Sequence, residues 1–333
     1  MKNEFHSNTF RRLDARENCR PGRIISIRKR RYRFVEELGV WYRPRYRVFD
    51  LSSRRTRLLL QLNKNDVSQQ HLQVLQRLPQ CHGLPEILDF EHQSDALWVV
   101  TTWLNGIDLE HYLELVRTGR TVAPSCYESV RLVRGLAHGL LRLHQHAQLI
   151  HGDIKPKNLI LSRKPAHLAM IDFGSAWKIA DTATRLEGDG SQPVYAAPEL
   201  LNGDERIDGR VDQFSATCVL YQLLTGNVPY DGLGGQAGRL EFRDQIDMRI
   251  SLSSSAVQRL PRAIRQQVKD VVVRGLQLEP NERFPTSNAW VDALETLYLE
   301  LRRHQATNST STWERWMDRL TAFYSWLSRK ESP

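Results

Sequence analysis

Four side chains concentrate the chemistry this chain could do. Asp153, Lys155 and Asn158 put a carboxylate, an ammonium and an amide within six residues, in His151-Gly152-Asp153-Ile154-Lys155-Pro156-Lys157-Asn158. A short apolar run, Leu159-Ile160-Leu161, follows. Asp172 comes fourteen residues after Asn158, in Met170-Ile171-Asp172-Phe173-Gly174. A carboxylate and an amide on one loop, with a second carboxylate just past the next apolar run, can hold a divalent metal against phosphate oxygens. Hard cations are bound by oxygen ligands of this kind.

The spacing resembles the catalytic loop and metal-binding segment of protein kinases, H-R-D-x-K-x-x-N and then D-F-G, with Gly152 where the arginine stands. The resemblance implies ATP and Mg²⁺ as cofactors and a role for each residue. Asp153 matches the residue that accepts or orients the substrate hydroxyl proton. Lys155 matches the lysine that neutralises charge on the transferring phosphoryl group in serine/threonine kinases. Asn158 and Asp172 match the pair that holds Mg²⁺. A γ-phosphate is heavily charged, so metal and cation must offset that charge while the hydroxyl is held in line. Three downstream stretches are similar to kinase elements: Tyr195-Ala196-Ala197-Pro198-Glu199, Asp212-Gln213-Phe214-Ser215 and Leu278-Glu279-Pro280-Asn281-Glu282-Arg283-Phe284. By that likeness Arg283 pairs with Glu199, and Asp212 opens a long buried helix supporting the catalytic loop.

The elements that must position these residues follow in the order a kinase fold requires. Strand-like runs occur at Tyr32–Gly39, Tyr42–Phe49, Leu58–Leu62, Ile87–Phe90 and Leu97–Trp103, with a helical stretch at Gln69–Leu78. Ile24, Ile25 and Ile27 are also strand-like, after Pro21-Gly22. From Leu109 the pattern is helical; Tyr127–Ala147 carries an amphipathic stripe, and Phe214–Thr225 and Ile264–Leu276 are further helices. The fold expected is α+β and bilobal, protein kinase-like, with a small five-stranded β lobe bearing one helix and a larger, mainly α lobe. The domain boundaries expected are a basic irregular arm over 1–22 and a kinase-like domain over 23–303. The small lobe runs to about 104 and the large lobe over 105–303. A linker and an aromatic helix, with Trp313, Trp316, Leu320, Phe323, Tyr324 and Leu327 at helical spacing, occupy 304–333.

The small lobe departs from the family pattern. Only Gly39 remains of the glycine-rich loop; Val40-Trp41-Tyr42-Arg43-Pro44-Arg45 follows it. A loop without the other glycines cannot bring its backbone as close to phosphates. Leu60 or Gln61 stands where the third-strand lysine belongs, and Gln70 or His71 stands near the place of its partner glutamate. Losing both members of that pair leaves neither as an unpaired buried charge. In placing cations on the second strand the chain is similar to the with-no-lysine kinases. Arg43, Arg45 and Arg47 lie on one face there; Arg43 or Arg45 would reach a phosphate bidentately, and Lys64 is another candidate. Trp98–Leu109 resembles the strand and connection that hold adenine. Thr101 is then the gatekeeper, Thr102 and Leu104 offer backbone groups to the base, and Asp108 reaches the ribose. Gly152 removes the arginine that receives an activation-loop phosphate, although Thr182, Thr184 and Ser191 remain candidate phosphosites.

Three readings follow. The first is a serine/threonine protein kinase acting on a protein substrate, with an atypical nucleotide lobe; Lys155 points to serine/threonine specificity. The second is a pseudokinase that signals by binding a partner. The third is a small-molecule phosphotransferase, a group sharing H-G-D but usually lacking the lysine, the D-F-G glycine and the A-P-E element that this chain has. Composition narrows the setting. The 333 residues carry four scattered cysteines without C-x-x-C spacing, which excludes a disulfide framework or a zinc ribbon and suits a reducing, cytoplasmic setting. No apolar run approaches the length of a membrane span. Residues 1–60 hold 17 Lys and Arg against 6 Asp and Glu, more than the whole net charge of +9. No nucleic-acid-binding motif accompanies that charge, which weighs against a nucleic-acid partner; a solvated tail followed by a strand with an arginine-rich face accounts for it, with an anionic membrane surface or an acidic partner as the weaker alternative.

Overall fold

The computed structural model describes residues 19–38, 44–63, 66–93, 96–163, 166–180, 193–203, 207–242 and 249–307. Gly39, Arg43, Lys64, the candidate phosphosites Thr182, Thr184 and Ser191, and the aromatic stretch from Trp313 lie outside the described residues. Two compact units result. One contains the residues up to Leu78 together with Pro85–Trp103; the other contains Pro79–Leu84 and the residues from Leu104 onward.

The small unit is an antiparallel sheet built from β1 (Ile24–Ile27), β2 (Arg30–Glu37), β3 (Arg45–Asp50), β4 (Arg55–Asn63), β5 (Ile87–His92) and β6 (Ala96–Thr102), with helix α1 (Asp66–Arg77) between β4 and β5. The strand order is β1-β2-β3-β4-β6-β5. The sheet thus has six strands, where the sequence pattern predicts five. The extra one is the Ile24–Ile27 run, which pairs with β2 from Ile24↔Arg33 to Ile27↔Arg30. Its burial explains why it joins. Ile27 is wholly buried in a core with Tyr32, Phe34, Tyr46, Val48, Leu59, Trp98 and Val100, where Phe34 and Tyr46 meet edge to face at 5.1 Å. Four residues carry too short an alternation to announce that partner in advance.

This core fixes which way the neighbouring side chains point. Successive strand residues alternate faces, so with Tyr46, Val48 and Leu59 on the core face, Arg45, Arg47, Leu58 and Leu60 occupy the other. The register pairs Arg45 with Leu60 and Arg47 with Leu58, and Leu58 with Thr101. Gln61 falls on the core face, within 3.3 Å of the Tyr46 hydroxyl. Of the two positions expected to replace the third-strand lysine, only Leu60 shares a face with the arginines.

The large unit begins with β7 (Ile107–Asp108), α2 (Leu109–Arg117) and α3 (Cys126–His146). A reciprocal capping box starts α3: Ser125 Oγ accepts from Glu128 N, and Glu128 Oε2 accepts from Ser125 N. Then come β8 (Leu149–Ile150), β9 (Leu159–Arg163), β10 (Ala166–Met170), β11 (Trp177–Lys178), α4 (Pro198–Asn202), α5 (Arg210–Thr225), α6 (Ser255–Gln258), α7 (Arg262–Gly275) and α8 (Ser287–Thr307). α8 therefore runs four residues past the boundary expected at 303. α5 is buried nearly all round, and its buried polar side chains Asp212, Gln213, Ser215 and Thr217 are all hydrogen-bonded. α3 packs against α5, α8 and β10. No described helix is long and apolar enough to cross a membrane.

Arg283 ties three segments of this unit together. The expected partner is in place: Nη1 lies 2.7 Å from Glu199 Oε1 and Nη2 lies 2.8 Å from Glu199 Oε2. The remaining donors reach the carbonyls of Gln277, Arg210 and Leu278. All the guanidinium N–H groups are thus used, and both side chains are buried. Removing one partner strands a buried charge. Arg283→Ala and Glu199→Ala should each lower unfolding free energy by about 3–5 kcal/mol, measured by denaturant titration. The double replacement should cost well under the sum, and Arg283→Lys should recover little because an ammonium cannot reproduce the fork.

Candidate functional site

The Asp153 carboxylate is the centre of the site. Oδ2 lies 2.8 Å from Lys155 Nζ and accepts from Asn158 Nδ2 at 2.7 Å. The same amide nitrogen donates to the Asp153 carbonyl at 2.9 Å. Lys155 is buried in spite of its charge, and Asp153 is 16% exposed. Burial pushes the Asp153 carboxyl above its usual range, Lys155 pulls it back in part, and nearby Asp172 adds to the rise. A carboxylate whose proton affinity is raised is better suited to taking a hydroxyl proton.

Asn158 and Asp172, fourteen residues apart, are brought together by a hairpin. β9 and β10 pair from Leu159↔Met170 to Arg163↔Ala166. Leu159, Leu161, Leu168 and Met170 are buried, and they fix that register because a one-residue slip would turn them outward. At the open end Ile171 N donates to Asn158 O at 2.9 Å. Asp172 then turns into the left-handed region, φ 63° and ψ 73°, on the order of 1 kcal/mol of strain for a residue with a Cβ. Its Oδ1 accepts a long bond from Gly174 N, 3.4 Å.

Because the Asn158 NH₂ is spent on Asp153, the Asn158 Oδ1 and the Asp172 carboxylate form a hard, all-oxygen donor set. That set fits Mg²⁺, which uses one or two carboxylates plus phosphate and water rather than a closed protein cage. Among the described residues no group of three or more His, Cys, Asp or Glu that could hold a metal occurs.

The loop hangs from Asp212, in the first turn of α5. Asp212 has no exposed surface. Oδ2 accepts from His151 N at 2.9 Å and Oδ1 from Gly152 N at 2.8 Å. His144 Nε2 lies 2.8 Å from Oδ2 and, facing a carboxylate, donates to it; its Nδ1 meets Ser287 Oγ at 2.8 Å. Burial alone would raise the Asp212 carboxyl, but these donors outweigh it and hold the group below its usual 3.8. His151 links the two halves of the site. Its Nδ1 accepts from Asp153 N at 3.3 Å, so its Nε2 carries the proton donated to Ile171 O at 3.2 Å. Its ring lies 4.7 Å from that of Phe173.

Other predicted residues are placed individually. Asp108 Oδ1 accepts from His111 N at 2.7 Å and so caps α2; its strand pairs with β9. Thr101 is buried on the face of Leu58 and Leu60. Thr102 gives its N–H to Glu86 O at 2.9 Å and accepts from Glu86 N at 3.0 Å, so that N–H is not offered to a base. Leu104 opens the large unit and is half-buried. Arg47 Nε lies 3.0 Å from Glu36 Oε1, whereas Arg45 stands across from Leu60. Sequence reasoning misses His144 and the linking role of His151. Their partners lie 68 and 20 residues away, and no local pattern marks either contact.

Asp212→Asn should be far from silent. An amide can offer one oxygen, so one of the three donors facing it is left without an acceptor, at a cost of roughly 3 kcal/mol. A carboxylate depressed in the folded state stabilises fully above its unfolded value and loses that contribution as pH falls through the folded one. The stability gap between Asp212→Asn and the parent chain should therefore be full at neutral pH and shrink below 3.8. Chemical denaturation at several pH values reads this directly.

The protein kinase domain family model matches residues 59–297. The match begins within β4 and takes in the loop at 151–158, Asp172, Glu199, Asp212 and Arg283. The serine/threonine-protein kinase cds1 of Schizosaccharomyces pombe is 30% identical over 264 residues, covering 75% of this chain and 52% of that protein. Serine/threonine-protein kinase PknB of Mycolicibacterium smegmatis is 32% identical over 138 residues, 40% of this chain and 21% of its own. PknE of Mycobacterium tuberculosis is 30% identical over 215 residues, 63% and 34% of the two chains. The chain thus spans about half the length of the first and less of the others. With the matched segment spanning most of the chain and carrying Asp153, Lys155, Asn158, Asp172 and Asp212, the chain belongs to the protein kinase family.

Proposed function

We propose that this chain is a serine/threonine protein kinase that transfers the γ-phosphoryl group of ATP to a hydroxyl of a protein substrate. The observation that carries the reading is the Asp153 carboxylate, held between Lys155 and Asn158 on a loop suspended from Asp212. An unused loop would have no need to keep a buried lysine beside a buried carboxylate. Asp153 takes the proton of the attacking hydroxyl as the oxygen–phosphorus bond forms and the bond from phosphorus to the β-phosphate oxygen breaks, leaving ADP. Lys155 holds the Asp153 carboxylate in place and offsets charge on the transferring group. Bound Mg²⁺ would supply further positive charge against the phosphates, and Asn158 and Asp172 are the residues that would hold it. The relatives named above are serine/threonine kinases, and Lys155 agrees with that specificity. The free cysteines Cys19, Cys81, Cys126 and Cys218 suit a cytoplasmic setting.

Arg45 is the residue we assign to the missing third-strand cation. It stands directly across from Leu60 and on the same sheet face, so a guanidinium one strand away takes over the task. Arg47 stands across from Leu58 instead, two residues from the lysine's place. A guanidinium also grips phosphate with two parallel bonds, which compensates for a loop that retains only Gly39. Asp108 to the ribose and the Leu104 backbone to the base complete the nucleotide contacts in this reading. A second reading, a pseudokinase that binds a partner without transfer, is favoured by the apolar Leu60 in the cation's place.

Incubating the full chain with Mg²⁺, γ-labelled ATP and peptides bearing Ser, Thr or Tyr acceptors separates the readings. Label should pass to Ser and Thr peptides, and Asp153→Asn and Asp172→Ala should each lower the rate by about 10²–10⁴-fold. An absence of both transfer and nucleotide-dependent thermal shift would sink the kinase reading. Transfer to small metabolites alone would favour the small-molecule phosphotransferase.

Arg45→Ala should raise KM for ATP about tenfold, a 1.4 kcal/mol loss of binding, while Arg47→Ala changes it little. Equal effects from both, or none from Arg45→Ala, would remove Arg45 from the phosphate site.

A further inference from the structure

The place of the catalytic-loop arginine is not vacant. Gly152 has φ +72°, and a Cβ built there would clash with Trp177 Cζ3 and come 2.8 Å from its Cη2. The six-membered ring of Trp177 fills the space where any side chain at 152 would go. Trp177 is 3% exposed. Its backbone pairs with Ile150, two residues before Gly152, and it lies five residues after Asp172. The same side chain therefore touches the loop that carries Asp153 and belongs to the segment that continues from Asp172-Phe173-Gly174. Nothing polar anchors the ring: its Nε1 is buried without a hydrogen-bond partner among the described residues. Packing alone holds it. From the other direction, His151 bonds to Ile171 O and its ring meets Phe173.

We propose that Trp177 is a positioning residue: its indole ring braces Gly152, sets the backbone from which Asp153 projects, and couples that loop to the segment carrying Asp172. The brace is apolar and occupies the slot of a charged side chain, so the loop is set without a phosphate arriving on the activation segment. The catalytic consequence rests on the phosphoryl-transfer reading above; the brace itself does not.

The test uses the full chain with Trp177→Phe, Trp177→Leu and Trp177→Ala, followed by hydrogen–deuterium exchange over residues 149–158 and by steady-state transfer. Trp177→Ala should speed exchange of the His151, Gly152 and Asp153 amides while exchange in α5 and α8 stays put. It should lower kcat about tenfold or more and change KM for ATP less than about threefold, since orientation rather than binding is lost. Trp177→Phe should keep most of the rate, because it retains an aromatic ring and removes the unpartnered N–H. Parent-like exchange at 151–153 in Trp177→Ala overturns the proposal. So does a uniform rise in exchange across the large unit, which would mark a merely structural role. If Trp177→Ala does not fold, Trp177→Leu carries the same comparison. Should the parent chain transfer no phosphate, the kinase reading fails, and the exchange arm still decides whether Trp177 braces the loop. Gly152→Ala gives the reciprocal check: it should reproduce the local exchange change, and its effect should shrink in the Trp177→Ala background.

Discussion

The Asp212 carboxylate accepts the amides of His151 and Gly152 and the imidazole of His144, all within 2.9 Å, with no surface exposed to water. A buried anion in that position is costly unless every lone pair it offers is used. Here each donor that satisfies it belongs to a different task. His144 comes from α3 and meets α8 through Ser287. His151 and Gly152 are the two residues before the Asp153 carboxylate. The charge of Asp212 therefore converts the rigid packing of α3 and α5 into the position of a loop that has little regular structure of its own. Its place near the N-terminal end of α5 also favours a negative charge there.

From that anchor the site is assembled by short-range couplings. Asn158 spends its NH₂ on Asp153, and the hairpin of β9 and β10 returns the chain so that Asp172 follows Ile171, itself bonded to Asn158 and His151. Trp177 closes the arrangement against Gly152. Each contact is modest, of order 1 kcal/mol net for a neutral hydrogen bond, but they share residues, so a displacement at one point moves Asp153, Asn158 and Asp172 together. The glycine at 152 is a requirement of this geometry, set by a positive φ and by the aromatic ring beside it.

The small unit shows the opposite balance. Its core is aromatic and well defined, and on the opposite face Arg45 stands across from Leu60 and Arg47 across from Leu58. The strand β1 extends the sheet beside β2 and adds Ile27 to the core. Cross-strand neighbours lie about 5 Å apart, closer than two positions along one strand.

Much of this protein was legible in the linear chain. Asp153, Lys155, Asn158 and Asp172 stood out because phosphoryl chemistry needs those groups in a short span, and Glu199 with Arg283 followed from matching motifs on either side of α5. Helix existence was readable from apolar periodicity, for example in α1 and α3, although their ends shifted by one to a few residues where caps and packing decide. What the chain alone left open were the answers that depend on which residues meet at long range. Leu60 and Gln61 are neighbours in sequence, and only the strand register, fixed by burial of Tyr46, Val48 and Leu59, puts one beside Arg45 and the other beside Tyr46. The Ile24–Ile27 run was strand-like, but its membership of the sheet waited on a core for Ile27 to enter. His144 and Trp177 carried no chemical signature at all. A histidine late in an amphipathic helix and a tryptophan after a D-F-G segment acquire their roles only when folding brings a buried carboxylate and a side-chain-free glycine against them.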